Sequence, residues 1–406
     1  MTAEKLFLKH NPGNAVFASE QEFLVYCLPT DRLERLNSSA ALLYELCDGT
    51  RTREGVLKLL TDTGVRIDSG ELLHHRTWLD QAVESQLLLK SVSPSNAGIP
   101  PGSSTNLDSF TRQAQQLRDE GAILAAFVCQ AQACNLAPDE ASCWLELGEL
   151  AHILGRRDDA REAYSRYLEL QPDNAEARHI LHALNDQTPP DRAPDDCIRQ
   201  LYARFSSFYE DNMCDDLGYE APQRLQELLS QHFSDTGHLE ILELGCGTGL
   251  AGKVLKPYAS RLTGVDLSPE MIERCRVTGL YDELAVAEIT GYLLQAITDS
   301  CRFDLIAACD TLIYFGDLNQ VFISAVQLLA PGGSLAFTVE KGADNDFTLT
   351  DSGRYSHSET YLRSLAAKAE LQVIELREGF LRYEYGEPVS GYIVLLSKSE
   401  GSQGRF

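Results

Sequence analysis

Residues 239–249 read LEILELGCGTG, an apolar run followed by glycines at 245, 247 and 249 and then a helical pattern. Glycines so placed let the backbone approach a ligand lying flat across strand ends. The spacing is G-x-G-x-G, not the G-x-G-x-x-G of dinucleotide binders. A second apolar run, 262–266, ends in Asp266, 17 positions after Gly249. A carboxylate there accepts both hydroxyls of a ribose. Pro269 stands near a helix start, and Met271 is placed to pack on a base. A later run, 303–315, carries Asp310, with Tyr314 just beyond it as a lining for an acceptor pocket. The stretch SGRYSHSETYL offers Arg354, a bidentate clamp for a carboxylate, and His357, either a general base or a surface or helix-cap residue.

These residues need a scaffold of alternating strands and helices. Apolar runs at 239–244, 262–266, 284–289 and 303–315 predict four strands. LLAPGGSLAFTVE gives a helix end, a turn and a fifth; LQVIEL and GYIVLLSK supply two more. Taken in order, ELGCGTG, GVDLSPEM and LLAPGG resemble the class I S-adenosylmethionine-dependent methyltransferases, over roughly residues 197–398. The resemblance implies a Rossmann-like, seven-stranded, mostly parallel sheet with an antiparallel final hairpin. It implies that Glu243 and the loop of Gly245, Cys246, Gly247 and Gly249 hold the amino acid part of the cofactor, S-adenosyl-L-methionine. Asp266 would hold the ribose, with Leu267 and Met271 beside the adenine. Ala287 and Glu288 would lie at the adenine edge, Glu288 standing where the family often has Asp. Asp310 would lie under the methionine moiety. Residues 202–222 resemble the entry helix of tetratricopeptide-fused members, where Tyr209-Glu210, in place of the usual Phe-Asp, would start a lid on the cofactor. Methyl transfer is an in-line displacement that leaves S-adenosyl-L-homocysteine. It asks the protein for alignment and exclusion of water, and for a base only if the acceptor must lose a proton.

Upstream, WLELGELAHILGRRDDAREAYSRYLELQPDN places Trp144, Leu147, Gly148, Ala151, Ala160, Tyr164 and Pro172 at the spacings of a tetratricopeptide repeat. Ala126, Ala133 and Pro138 mark a weaker first copy, and 175–184 a capping helix. The segment would hold a peptide, act as a spacer, or brace a homodimer. Further upstream, Leu36-Asn37, an apolar helix at 40–47 and Asp48-Gly49-Thr50 resemble the PqqD-like family, also called RiPP recognition elements. That family implies a three-stranded, three-helix winged fold that binds a leader peptide as an added strand against its last helix. A generic winged helix is the alternative. Linkers rich in Ser, Pro and Gly at 91–106, and in Pro and Asp at 185–196, separate the parts. The expected organisation is multidomain α/β: a winged-helix-like α+β domain (1–90), tetratricopeptide helices (107–187) and the methyltransferase domain (197–406).

Composition narrows the partners. A formal charge of −25 over 406 residues disfavours nucleic acid. No apolar run reaches membrane-spanning length and no signal peptide is apparent. Eleven scattered cysteines without C-x-x-C spacing fit reduced thiols in the cytoplasm and no metal site. The parts together predict a methyltransferase that modifies a ribosomally made precursor peptide and meets other enzymes of its pathway. Its acceptor would be a carboxylate or other oxygen, given Arg354. The alternative is a small-molecule or carrier-bound acceptor, with the N-terminal domain serving only to bind a partner.

Overall fold

A computed structural model describes residues 6–11, 14–18, 23–27, 32–36, 38–62, 69–91, 107–119, 121, 123–185, 188–205, 218–234, 237–343, 346–384 and 387–399. Tyr209, and most of the expected 91–106 linker, lie outside them. The chain forms two compact units, 1–173 and 174–406, so the three expected segments fall in two bodies. Among the described residues no helix is long and apolar enough to cross a membrane, and no group of His, Cys, Asp or Glu is placed to hold a metal ion.

The first unit opens with β1 (Phe7–His10), β2 (Asn14–Ala18), β3 (Phe23–Cys27) and β4 (Arg32–Leu36). Then come α1 (Ser38–Glu45), β5 (Asp48–Thr52), α2 (Arg53–Asp62), α3 (Ser69–Glu84) and β6 (Leu88–Ser91). The three helices match expectation. The strands number more: β2-β3-β4 form one antiparallel sheet, and β1 is the centre of another, β5-β1-β6. The Asp-Gly-Thr stretch is therefore strand as well as helix stop. Asp48 accepts from the Thr50 amide at 2.8 Å and hydroxyl at 2.6 Å, and Gly49 takes φ +92° at the bend. Thr52 then caps α2, accepting from the Gly55 amide at 3.2 Å.

Helices α4 (Leu107–Asp119), α5 (Ile123–Leu136), α6 (Ala141–Ile153) and α7 (Arg157–Leu170) form two antiparallel hairpins. Small residues decide how closely they pack. Gly148 of α6 lies under the Tyr164 ring of α7, where an added Cβ would sit 3.1 Å away. Helix α5 packs on α1 and α2. There the Ala125 amide donates to the buried Glu45 carboxyl at 3.2 Å, so the repeat-like helices and the N-terminal fold share a core.

The second unit begins with α8 (Ala175–Leu184), the expected capping helix. It packs on α9 (Asp195–Phe205), and its buried His179 donates to the Gly353 carbonyl at 2.9 Å. After α10 (Ala221–His232) come β7 (Leu239–Leu244), α11 (Gly252–Leu255), β8 (Ala259–Asp266), α12 (Pro269–Val277), β9 (Glu283–Val286) and α13 (Ile289–Thr298). The chain continues through β10 (Phe303–Ala308), α14 (Asn319–Leu328), β11 (Leu329–Lys341), β12 (Phe347–Leu349), β13 (Tyr355–His357), α15 (Glu359–Lys368), β14 (Leu371–Glu384) and β15 (Glu387–Lys398). The order β9-β8-β7-β10-β11-β15-β14 is a Rossmann-like sheet in which β15 alone runs against the rest. The short β12 and β13 extend it at the end of β11. The strand order reverses between β7 and β10, and open α/β sheets bind ligands at such a point.

Replacing Gly148 with Leu forces a branched side chain into the Tyr164 ring. It should cost the first unit about 2 kcal/mol or more in urea denaturation while leaving the second unit's transition in place.

Candidate functional site

The cleft opens where β7 ends. Gly245 has φ +70°, and a Cβ on it would lie 2.3 Å from Thr311. Gly247 has φ +52° and lines the cleft, and among the described residues nothing lies within 4 Å of where its Cβ would stand. Its amide donates to Asp266 Oδ2 at 2.9 Å, and the Ser268 amide donates to Oδ1 at 2.8 Å. The Asp266 carboxylate is thus fixed at the rim with lone pairs to spare for a diol. Burial raises its pKa, partly offset by these amides. Buried Ser268 caps α12, which sets Leu267 and Met271 along the same wall. The expected Gly245, Gly247, Asp266, Leu267 and Met271 all line one cleft.

Three expected residues lie behind that wall. Glu243 is 1% exposed, and its carboxyl accepts from the Tyr281 hydroxyl at 2.6 Å. Burial pushes its pKa up to about 8, against the Tyr281 bond, which lowers it. The Tyr281 ring fills the space left by three glycines. A Cβ on Gly249 would meet the ring at 3.3 Å, on Gly252 at 2.6 Å and on Gly264 at 2.8 Å. Gly249 therefore makes room for a tyrosine, where sequence reasoning had it facing the cofactor. Cys246 turns its thiol toward Ile272 and Cys275 on α12, so only its backbone serves the loop. Tyr281 escaped notice because its partners lie 17 to 38 positions away in sequence.

Another wall of the cleft comes from the expected 185–196 linker, which is structural. The Gly316 and Asp317 amides donate to the Asp191 carbonyl at 2.8 and 2.9 Å, and the Ala193 amide donates to the Tyr314 carbonyl at 2.8 Å. This strap carries Arg192 over the Phe315 ring, 5.7 Å from its centroid, and into the cleft. Arg192 donates to Glu288 at 2.8 Å and to Asp195. Glu288 also caps α13, accepting from the Thr290 and Gly291 amides at 2.8 and 2.7 Å. It lines the cleft as expected, with its carboxylate already engaged. Ala287 is tied by its amide to the Asp266 carbonyl at 2.9 Å.

At the opposite end Asp310 lines the cleft with φ +52°, a left-handed conformation rare outside glycine. Two contacts hold it there. Its amide donates to Thr338 Oγ1 at 2.8 Å, and Arg382 Nη1 donates to both carboxylate oxygens at 2.8 and 3.0 Å. Arg382, 1% exposed, also bonds Glu340 and lies 3.8 Å from Glu384. Arg354 bonds Glu384, so the expected clamp is engaged by the protein's own carboxylate. Tyr314 lines the cleft, its hydroxyl 2.8 Å from that of Tyr202 on α9. His357 does not reach the cleft. It is 0% exposed and stacks on Tyr361, with Nε2 donating to the Gly316 carbonyl at 3.1 Å. Burial pushes its pKa down to about 4. It is a core residue, which excludes the general-base assignment.

A methyltransferase-domain family model matches residues 242–335, and a tetratricopeptide-repeat model matches 132–184. Nodulation protein S of Rhizobium tropici is 29% identical over 158 residues, 37% of this chain and 64% of that protein. A ubiquinone biosynthesis O-methyltransferase of Xylella fastidiosa (strain M23) is 34% identical over 119 residues, 28% of this chain and 46% of that protein. The chain thus spans about half to two thirds of the length of these relatives. Among solved structures, the N-methyltransferase NodS of Bradyrhizobium japonicum WM9, in complex with S-adenosyl-L-homocysteine, is 23% identical and covers 49% of this chain and 97% of that one, with a TM-score of 0.40.

Glu243 gives a signed pH dependence. Its folded pKa of about 8 exceeds the unperturbed 4.5, so the folded state keeps a proton the unfolded state sheds. Stability is full below the unfolded value and falls as pH rises toward 8, by about 5 kcal/mol at most. Glu243→Gln keeps an acceptor for Tyr281 and should flatten that loss. Thermal midpoints of the ligand-free protein between pH 5 and pH 8.5 check it (the pH range spans roughly the two pKa values).

Proposed function

We propose that the chain is an S-adenosylmethionine-dependent methyltransferase whose substrate is a ribosomally made peptide, its leader bound by the first unit. The methyltransferase part is supported most by the Gly247–Asp266 arrangement at the strand ends, inside the segment matched by the family model. The residues present fit the cofactor. A Gly247 backbone at the cleft and a carboxylate with spare lone pairs suit a ribose, and Leu267 and Met271 offer an apolar bed for a base. When bound, the cofactor supplies an electrophilic methyl on a sulfonium. The protein's share is positional. Asp266 and the loop orient the nucleoside, the strap closes the adenine side, and Asp310 and Tyr314 bound the space where an acceptor enters.

The peptide part is supported by a groove in the first unit. It is lined by Arg35 and Leu36 of β4, Leu43 of α1, and His75, Trp78 and Ala82 of α3. β4 pairs with β3 on one side, and among the described strands nothing pairs with its other edge. An extended peptide adding to that edge would gain main-chain hydrogen bonds there and set alternate side chains against α3. Holding the leader on the same chain raises the local concentration of the core peptide, so contacts at the cleft are free to be weak.

Asp266→Ala should abolish S-adenosyl-L-homocysteine binding in calorimetry; unchanged binding sinks the cofactor assignment. Trp78→Ala should weaken binding of a precursor peptide encoded beside this gene by about tenfold, one aromatic anchor's worth. Cofactor affinity should stay intact. If mass spectrometry shows a free small acceptor gaining its methyl equally well with either protein, the small-molecule reading replaces the peptide one.

A further inference from the structure

We propose that the acceptor end of the cleft is built for a cationic group and that the methyl acceptor is an amine, not a carboxylate. The inference rests on the methyltransferase reading above. It starts from a charge count. Asp310, Glu340 and Glu384 contribute three carboxylates, and Arg382 and Arg354 two guanidiniums, all joined in one network. One negative charge is left over. Arg382 sits at the centre; among the described residues its Nε has no hydrogen-bond partner and its pairing goes to these carboxylates. Arg354 lies within electrostatic range of Tyr314, Asp310 and Tyr202, so the network adjoins the residues that bound the acceptor space.

A substrate carboxylate arriving here raises the surplus to two negative charges; an ammonium cancels it. Partial burial strengthens that difference, because Arg354 and Glu384 are only 22% and 19% exposed and the other members less. Among the described residues no cation elsewhere along the cleft reverses the sign. Among the described lining residues Arg192 is the one guanidinium, and it is matched by Glu288 and Asp195 at the far end. The sequence had favoured an oxygen acceptor on the strength of a free Arg354, and Arg354 is bound to Glu384.

The step balances without a further reactant. The acceptor ammonium releases a proton to water past Glu384. The nitrogen lone pair forms the bond to the methyl carbon, and the carbon–sulfur electron pair stays on sulfur. The products are a methylated ammonium, a neutral thioether and the released proton.

Two cofactor analogues test this without turnover. Each has nitrogen in place of sulfur; one carries a 2-aminoethyl arm at that nitrogen and the other a carboxymethyl arm. Calorimetry on the full chain should show the aminoethyl analogue binding about tenfold tighter or more, as expected for a buried like-charge mismatch. Glu384→Gln should narrow the ratio and Arg354→Gln should widen it, each ratio taken relative to that variant's own affinity for S-adenosyl-L-homocysteine. Equal or tighter binding of the carboxymethyl analogue overturns the inference, as does a ratio that neither variant moves. If S-adenosyl-L-homocysteine itself fails to bind the unaltered protein, the methyltransferase reading falls and takes this inference with it; if it binds and the preference is missing, only the inference falls.

Discussion

The cleft depends on one buried guanidinium. Arg382 comes from β14, next to the last strand of the chain, yet it bonds Asp310 at the end of β10 and Glu340 near the end of β11. Burying a charge is costly unless carboxylates meet it, and removing one partner of such a set costs about 3–5 kcal/mol. The arrangement therefore locks the final hairpin to the cleft floor. It also fixes Asp310 in a backbone conformation that an L-residue seldom adopts. The floor is rigid because its charges satisfy one another, and electronegative because they do not fully cancel.

The opposite wall rests on volume. Gly249, Gly252 and Gly264 leave a hollow that Tyr281 fills, and Tyr281 in turn holds the Glu243 carboxyl beneath the loop. A methyl group on any of the three would push on the same ring. The strap at 191–195 completes the enclosure, because its backbone bonds to residues 314–317 bring Arg192 to Glu288. Charge pairing, close packing and backbone pairing each hold a different side of one cleft.

The first unit follows another logic. Its N-terminal fold and its helical hairpins share buried surface at α5, so the tetratricopeptide-like segment is part of that unit's core. Among the described strands β4 has an unpaired edge beside α3, and the proposal that this unit does more than act as a spacer rests on it. It is also the feature on which the choice of a peptide substrate rests.

Much of this was legible in the chain itself. Apolar periodicity and glycine spacing give the order of strands and helices, and the ELGCGTG and GVDLSPEM stretches place Asp266, Leu267 and Met271 in one cleft, because these are local consequences of backbone geometry. The helical hairpins followed from small residues at fixed intervals for the same reason. What the sequence left open is everything set by contacts between distant residues. Whether His357 meets solvent, whether Arg354 is free, why Gly249 is glycine, and that a proline-rich stretch is a wall of the site were decided by which side chains meet across the sheet. Net charge at a point is a sum over groups tens to hundreds of positions apart in sequence. Only the folded chain, by bringing Asp310, Glu340, Arg354, Arg382 and Glu384 together, performs it.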